Sequence, residues 1–160
     1  MKLWEKVNKE IATCITKVDK LPFRHVILCH SEKDNTTGVI FGGTLMINTP
    51  DEMWVFDNTK LQKNLKLSPD ICKTDNIINF TDSYEKAYVA CKISNTRYKE
   101  LLVLETEQGK KCHIQYEFYK KFFEADREEI EIYIKNEKAP VYIKWMNITI
   151  GVIVPIHVKA

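Results

Sequence analysis

Two Cys-His pairs are the residues of this sequence with the side chains most suited to catalysis or metal binding. Cys29 precedes His30, and Cys112 precedes His113. A thiolate and an imidazole can ligate a metal ion together, or act as a nucleophile and its base. Neighbouring residues of a strand point to opposite faces, however, so neither pair can converge on one atom by itself. We therefore interpret all four as packing residues, and the alternative is an enzyme with a composite site built from both pairs.

The common catalytic and cofactor-binding motifs are missing from the sequence. Gly38, Gly42 and Gly43 fit neither the phosphate-binding loop nor the dinucleotide-binding spacing. A nucleophile elbow, paired zinc ligands and the helical HExxH pattern do not occur. The sequence thus predicts a protein that is not an enzyme and that uses no cofactor and no metal ion.

A basic stripe lies on the first predicted helix, between Met1 and Lys20. Apolar residues recur there at steps of three and four, as on one face of an amphipathic helix: Leu3, Val7, Ile11, Cys14, Ile15 and Val18. The opposite face carries lysines that could contact DNA phosphates without reading bases: Lys6, Lys9, Lys17 and Lys20. Glu5 and Glu10 dilute this stripe and the net charge of the chain is only +2, so any DNA contact is expected to be weak. A small DNA-binding module is a second alternative.

Length and composition predict one domain that spans residues 1–160. The chain is 44% hydrophobic, which is too apolar for a disordered segment and sufficient for a single core. Its apolar runs are far shorter than the ~20 residues that span a bilayer, and the lysine-rich start lacks the apolar centre of a signal peptide. We therefore expect a cytoplasmic protein with no membrane partner and with reduced cysteines.

The order of predicted elements gives an α+β fold with predominantly antiparallel sheet and two main helices. A helix and three strands, the last at Met53 to Phe56, form residues 1–58, and Gly42-Gly43 mark a bulge or bend between paired strands. Two or three strands, a helix and three more strands form residues 84–160. An irregular connector joins these two similar helix-plus-sheet halves. Pro155 predicts an edge or a bend in the final strand, because proline lacks a backbone donor.

The stretch from Gln115 to Val158 resembles the final module of the bacterial DNA polymerase sliding clamp. The matching features are an aromatic helix from Tyr116 to Ala125, a strand written Glu-Ile-Glu-Ile-Tyr-Ile at 129–134, and a strand that contains Ala-Pro-Val-Tyr-Ile-Lys at 139–144. The ending Ile-Val-Pro-Ile-His-Val at 153–158 is similar to the clamp's terminal apolar-Pro-apolar-Arg-apolar sequence, with His157 in place of the arginine.

This resemblance implies a DNA clamp-like fold and a surface for protein partners. In the family, helices face DNA, sheets form the outside, and partner proteins insert a short peptide into an apolar pocket beside the terminal strand. The residues here that would border this pocket are Val154, Pro155, Ile156 and His157. A clamp ring has six such domains, whereas this chain has the length of one. The leading expectation is a non-enzymatic clamp-like adaptor that binds a protein partner, with a second copy of itself as a further candidate.

Overall fold

The computed structural model describes residues 2–16, 26–65, 67, 70–78, 80–124 and 129–158. The helices within them are α1 (Lys2–Thr16), α2 (Asn58–Asn64) and α3 (Tyr116–Phe122). The strands are β1 (Val26–Ser31), β2 (Thr36–Phe41), β3 (Leu45–Pro50), β4 (Cys72–Lys73), β5 (Glu85–Asn95), β6 (Lys99–Thr106), β7 (Lys111–Gln115), β8 (Ile130–Ile134), β9 (Val141–Trp145) and β10 (Ile148–Ile153). The predicted α+β class is confirmed. The sequence predicts two main helices, and the structure adds the short helix α2, which buries none of its residues.

The described strands form one sheet in the order β4-β1-β2-β3-β10-β9-β8-β5-β6-β7. Neighbouring strands pair antiparallel throughout, apart from the parallel pair of β1 and β4. Two three-stranded meanders, β1 to β3 after α1 and β8 to β10 after α3, meet where β3 pairs with β10. This pairing joins segments from opposite ends of the sequence into one sheet.

The core lies between the sheet and the two helices α1 and α3, which contact each other. The apolar stripe of α1 is buried as its period predicts, with Leu3, Val7 and Ile11 almost fully covered. The aromatic residues of α3 enter the same core, and Phe122 and Phe123 are fully buried. Burial of side chains this large supplies much of the hydrophobic stabilisation of the fold.

Two local predictions for the first half are wrong. Gly42 and Gly43 form neither a bulge nor a bend within a strand but make the tight turn between β2 and β3, where both have φ values near +60° (57° and 68°) that glycine adopts without a steric penalty. Met53 to Phe56 is not a strand, because the chain turns at Pro50 into a short 3-10 helix at Asp51–Met53. The third strand of the first meander is therefore β3, which ends at Pro50.

The connector between the two meanders crosses the face of the sheet that is opposite the helices. On this face the strand register aligns side chains across six strands in one row: Ile27, Ile40, Met46, Val152, Tyr142 and Tyr133. Residues 70–84, described except for residue 79 and here named the crossing segment, pass from β1 toward β5 over this row. Ile77 and Ile78 share a cavity with Ile40 and Met46, and Phe80 packs against Tyr142 at 5.5 Å between ring centroids.

The crossing segment is anchored at both ends. At its start, β4 pairs with β1, and the Ser31 hydroxyl donates a hydrogen bond to Asp75 at 2.8 Å. At its end, the Phe80 ring stacks on Tyr84, whose hydroxyl donates to the Pro140 carbonyl at 3.0 Å. The part between these anchors, which contains Ile77 and Ile78, is held close to the sheet.

Candidate peptide-binding groove

Two adjoining cavities lie on either side of Val154. The first, of about 150 Å³, lies between the crossing segment and the row of apolar side chains on the sheet, with Ile77, Met46 and Val152 in its wall. The second, of about 300 Å³, lies between the β2–β3 turn and the first turns of α3, with Phe118 and Tyr98 in its wall. Val154 lines both cavities. We name the two cavities together the Val154 groove.

The segment after β10, residues 154–158, is positioned by two backbone hydrogen bonds. The strand ends at Ile153, and the Val154 amide donates to the Thr44 carbonyl at 2.9 Å. Beyond Pro155, the Ile156 amide donates to the His113 carbonyl on β7 at 2.8 Å. The chain therefore leaves the sheet at Pro155, as the missing proline donor predicts, and lies between the β2–β3 turn and β7.

The structure brings three of the four predicted pocket residues together. Val154, Pro155 and Ile156 line the larger cavity, and Val154 is 39% exposed. His157 does not line it but borders an adjoining surface hollow beside the β5–β6 turn, which shares Tyr98, Pro155 and Ile156 with the larger cavity. The residue that stands in place of the clamp arginine therefore lies beside the larger cavity and not in its wall.

Sequence reasoning missed the wall that the crossing segment contributes. Ile77 is 46% exposed, and Ile78 lies beside it in the smaller cavity. The amides of both residues donate to the Thr74 carbonyl, which fixes them as one turn above the sheet. The signal that could have revealed them is an isolated Ile-Ile pair in a polar connector, since exposed neighbouring apolar residues are typical of binding surfaces.

The polar rim of the groove is provided by α3. The Lys121 ammonium lies 2.9 Å from a Glu117 carboxylate oxygen, one helical turn apart, and both residues border the larger cavity. Such a pair keeps the rim solvated and nearly neutral in charge. An apolar interior with a balanced polar rim suits an apolar segment of a protein better than a charged ligand.

The predicted DNA-contacting lysines of α1 are only partly within the described residues. Lys9 is exposed, but the Lys6 ammonium donates a hydrogen bond to the Lys120 carbonyl at the end of α3, at 2.8 Å. Lys6 thus helps to hold the two helices together. Lys17 and Lys20 lie outside the described residues.

The structure does not bring the two Cys-His pairs together. Cys29 lies on β1 and Cys112 on β7, and seven strands stand between β1 and β7 in the sheet. Burial raises the pKa of the Cys29 thiol to about 11 and that of Cys112 to about 12, so both are protonated near neutral pH. His113 is half-buried, and burial lowers its pKa. Over the described part of the chain, no group of three or more His, Cys, Asp or Glu residues could hold a metal ion.

His30 has a different partner, the carboxylate of Asp51. The His30 Nε2 atom lies 2.9 Å from one Asp51 oxygen, and the Thr37 hydroxyl donates to the other at 2.6 Å. Burial alone would raise the pKa of Asp51, but the hydrogen bonds from Thr37 and His30 and the charge of His30 outweigh it and hold the pKa below its ordinary 3.8. These contacts tie β1 and β2 to the turn after β3.

We expect Asp51 to make the stability of the protein depend on acid pH. A carboxyl whose pKa is lowered on folding contributes stability above its unfolded pKa, and this contribution is lost as the pH falls through the folded pKa. Between about pH 5 and about pH 2 the free energy of unfolding should therefore fall less in Asp51→Asn than in the native protein. Urea unfolding at a series of pH values measures this slope. The control is Glu52→Gln, which changes the adjacent carboxylate and should retain the native slope; equal slopes in all three proteins would contradict the prediction.

Comparisons with protein-family models, with curated proteins and with solved structures found no match to this chain. In the described ranges, no helix combines the length and the apolar character that crossing a membrane requires. Function must therefore be argued from the groove itself.

Proposed function

We propose that this chain is a non-enzymatic, DNA clamp-like adaptor that binds a short apolar peptide segment of a partner protein in the Val154 groove. The observation that carries the proposal is the position of Val154 between two cavities. The crossing segment contributes to one cavity and α3 to the other, and Val154 lines both, with Pro155 and Ile156 continuing the wall of the larger one. This is the segment that the resemblance to sliding clamps assigns to peptide binding.

The repeated order of elements also supports a clamp-like fold. A helix followed by a three-stranded meander occurs twice, the two helices contact each other, and the last strands of the two meanders pair antiparallel. The smaller cavity lies on the face of the sheet away from the helices, whereas the larger one lies at the edge of α3, with Phe118 in its wall. None of the described residues of α1 lines either cavity, so a peptide could bind without disturbing the packing of α1 against α3.

The dimensions of the groove favour a peptide with two apolar anchors. The smaller cavity, about 150 Å³, has room for a branched aliphatic side chain, whereas the larger, about 300 Å³, has room for an aromatic one. Val154 lines both cavities and is 39% exposed, so the peptide backbone between the two anchors would pass over it. A few buried anchors usually supply most of the affinity of such a contact.

The test is to select short random peptides displayed on phage against the immobilised protein and to titrate the best into nitrogen-15-labelled protein. We expect the selected peptides to carry two apolar residues and to shift the amide signals of Thr44, Ile77, Ile78 and Val154. A scrambled peptide of the same composition is the control and should bind more weakly. Shifts confined to α1, or a failure to select any peptide that binds in solution, would refute the proposal.

A further inference from the structure

Cys29 and Cys72 face each other across the parallel pair of β1 and β4. The strand register makes their Cα atoms direct partners. Neighbouring strands lie about 4.8 Å apart, which is within the range of Cα separations, about 4.4–6.8 Å, that disulfide bonds span. Partners in register also direct their side chains to the same face of a sheet. The backbone therefore already places the two thiols where a bond between them can form.

The two thiols differ in exposure because β4 is at the edge of the sheet. Cys29 is fully buried. Its Sγ atom packs against Gly38 so closely that a Cβ atom added to Gly38 would lie only 2.9 Å from it. Cys72 is exposed, and so is its neighbour Lys73. A reagent in solution can thus reach Cys72 directly, whereas Cys29 is covered by the fold. The Cys29 thiol also donates a weak hydrogen bond to Asn48 Oδ1 at 3.9 Å, which bond formation with Cys72 would replace.

We propose that Cys29 and Cys72 form a reversible disulfide bond by exchange with a small-molecule disulfide such as oxidised glutathione. In the first step the Cys72 thiolate attacks one glutathione sulfur, which forms a mixed disulfide and releases one reduced glutathione. In the second step the Cys29 thiolate attacks the Cys72 sulfur, forms the Cys29–Cys72 bond and releases the second glutathione. Each protein thiol gives up its proton and the pair loses two electrons, which the glutathione disulfide accepts.

The new bond fastens the start of the crossing segment to β1. Without the disulfide bond, this anchor includes the two-residue pairing of β4 with β1 and the hydrogen bond from Ser31 to Asp75. A covalent link at Cys72 restrains the turn at Thr74 and, with it, Ile77 and Ile78, whose amides donate to the Thr74 carbonyl. The bond is expected whether or not the Val154 groove binds a peptide, so failure of one proposal leaves the other standing.

The second step should be slow near neutral pH and should accelerate with alkali. The attacking species is the thiolate, and burial raises the pKa of Cys29 to about 11. We expect the rate at which the mixed disulfide converts to the internal bond to rise about tenfold for each pH unit between about pH 7 and about pH 9. A rate that does not change with pH would exclude Cys29 as the attacking thiol.

Tryptic mapping after oxidation tests the proposal. Cleavage after Arg24, Lys33, Lys66 and Lys73 places Cys29 in fragment 25–33 and Cys72 in fragment 67–73, each with a single cysteine. The full chain is incubated with oxidised glutathione, blocked with iodoacetamide and digested without reductant. We expect mass spectrometry to show the two fragments joined, and to show them separate again after treatment with dithiothreitol.

Two variants at exposed positions provide the controls. Cys72→Ser should abolish the joined fragment and leave Cys29 reduced, whereas Cys91→Ser, which removes another exposed thiol, should leave the joined fragment unchanged. Glutathione that stays attached to Cys72 at alkaline pH with no joined fragment would overturn the proposal. A bond from Cys72 to any cysteine other than Cys29 would overturn it as well.

Discussion

Replacing Gly151 with alanine is expected to destabilise the protein by about 2–3 kcal/mol, near the upper end of the cost of overpacking a core. An added Cβ at this position would lie 2.3 Å from Cζ and 2.7 Å from Cε1 of Phe123. The ring cannot move away easily, because Phe123 is fully buried in the core. Gly151 also pairs with Ile47 on one side and Ile143 on the other, which restricts any shift of the strand.

Urea unfolding measures this cost, and a second glycine serves as the matched control. Gly43→Ala places a methyl group in open space, at a φ of +68°, so it should cost only the conformational strain of about 1–2 kcal/mol. Phe123→Leu makes room above Gly151 and should reduce the cost of Gly151→Ala when the two are combined, while leaving the cost of Gly43→Ala unchanged. A cost of Gly151→Ala that is the same with and without Phe123→Leu would show that the contact is not its cause.

Replacing Val154 with glutamate is expected to weaken the binding of a selected peptide about a hundredfold. The carboxylate would stand between two apolar cavities, and a bound apolar segment would remove water from it without providing a partner. The free protein should tolerate the change, because Val154 is 39% exposed and the new side chain can extend into solvent. The loss should therefore appear in binding and not in folding.

Fluorescence polarisation with a labelled selected peptide gives the dissociation constants. Val55→Glu is the matched control, since Val55 is 68% exposed and is absent from the walls of the groove. We expect Val55→Glu to bind like the native protein and both variants to unfold at similar urea concentrations. Unchanged affinity in Val154→Glu, or an equal loss in both variants, would place the peptide elsewhere.

Local pattern predicted most of the strands and the two main helices of this fold, but not which strands pair. Alternating apolar residues identify β8 and β9, because one face of each strand meets the core and the other meets solvent or the crossing segment. The same pattern cannot show that β3 pairs with β10, since any antiparallel neighbour would satisfy it. Met53 to Phe56 does not form a strand, because the chain turns at Pro50 into a 3-10 helix that begins at Asp51. The alternation of apolar and polar residues does not indicate such a turn.

The candidate groove was predictable only in part for a similar reason. The segment from Val154 to Ile156 was indicated by its proline-centred sequence and by the resemblance that it carries. The wall made by Ile77 and Ile78 was not, because β4 is only two residues long and the crossing segment has no regular period. Its course depends on contacts made far away, such as Phe80 against Tyr142, and a sequence read locally does not contain them.

The pairing of β3 with β10 has a consequence for synthesis on the ribosome. The buried Asn48 amide donates to the Thr149 carbonyl across a separation of 101 residues, so the edge of β3 has no strand beside it until β10 has emerged. At typical rates of about 5–20 residues per second, that edge stays open for several seconds, and open strand edges are where nascent chains misassociate. The first meander is therefore the part of the nascent chain where we expect strand edges to misassociate if translation stalls before β10.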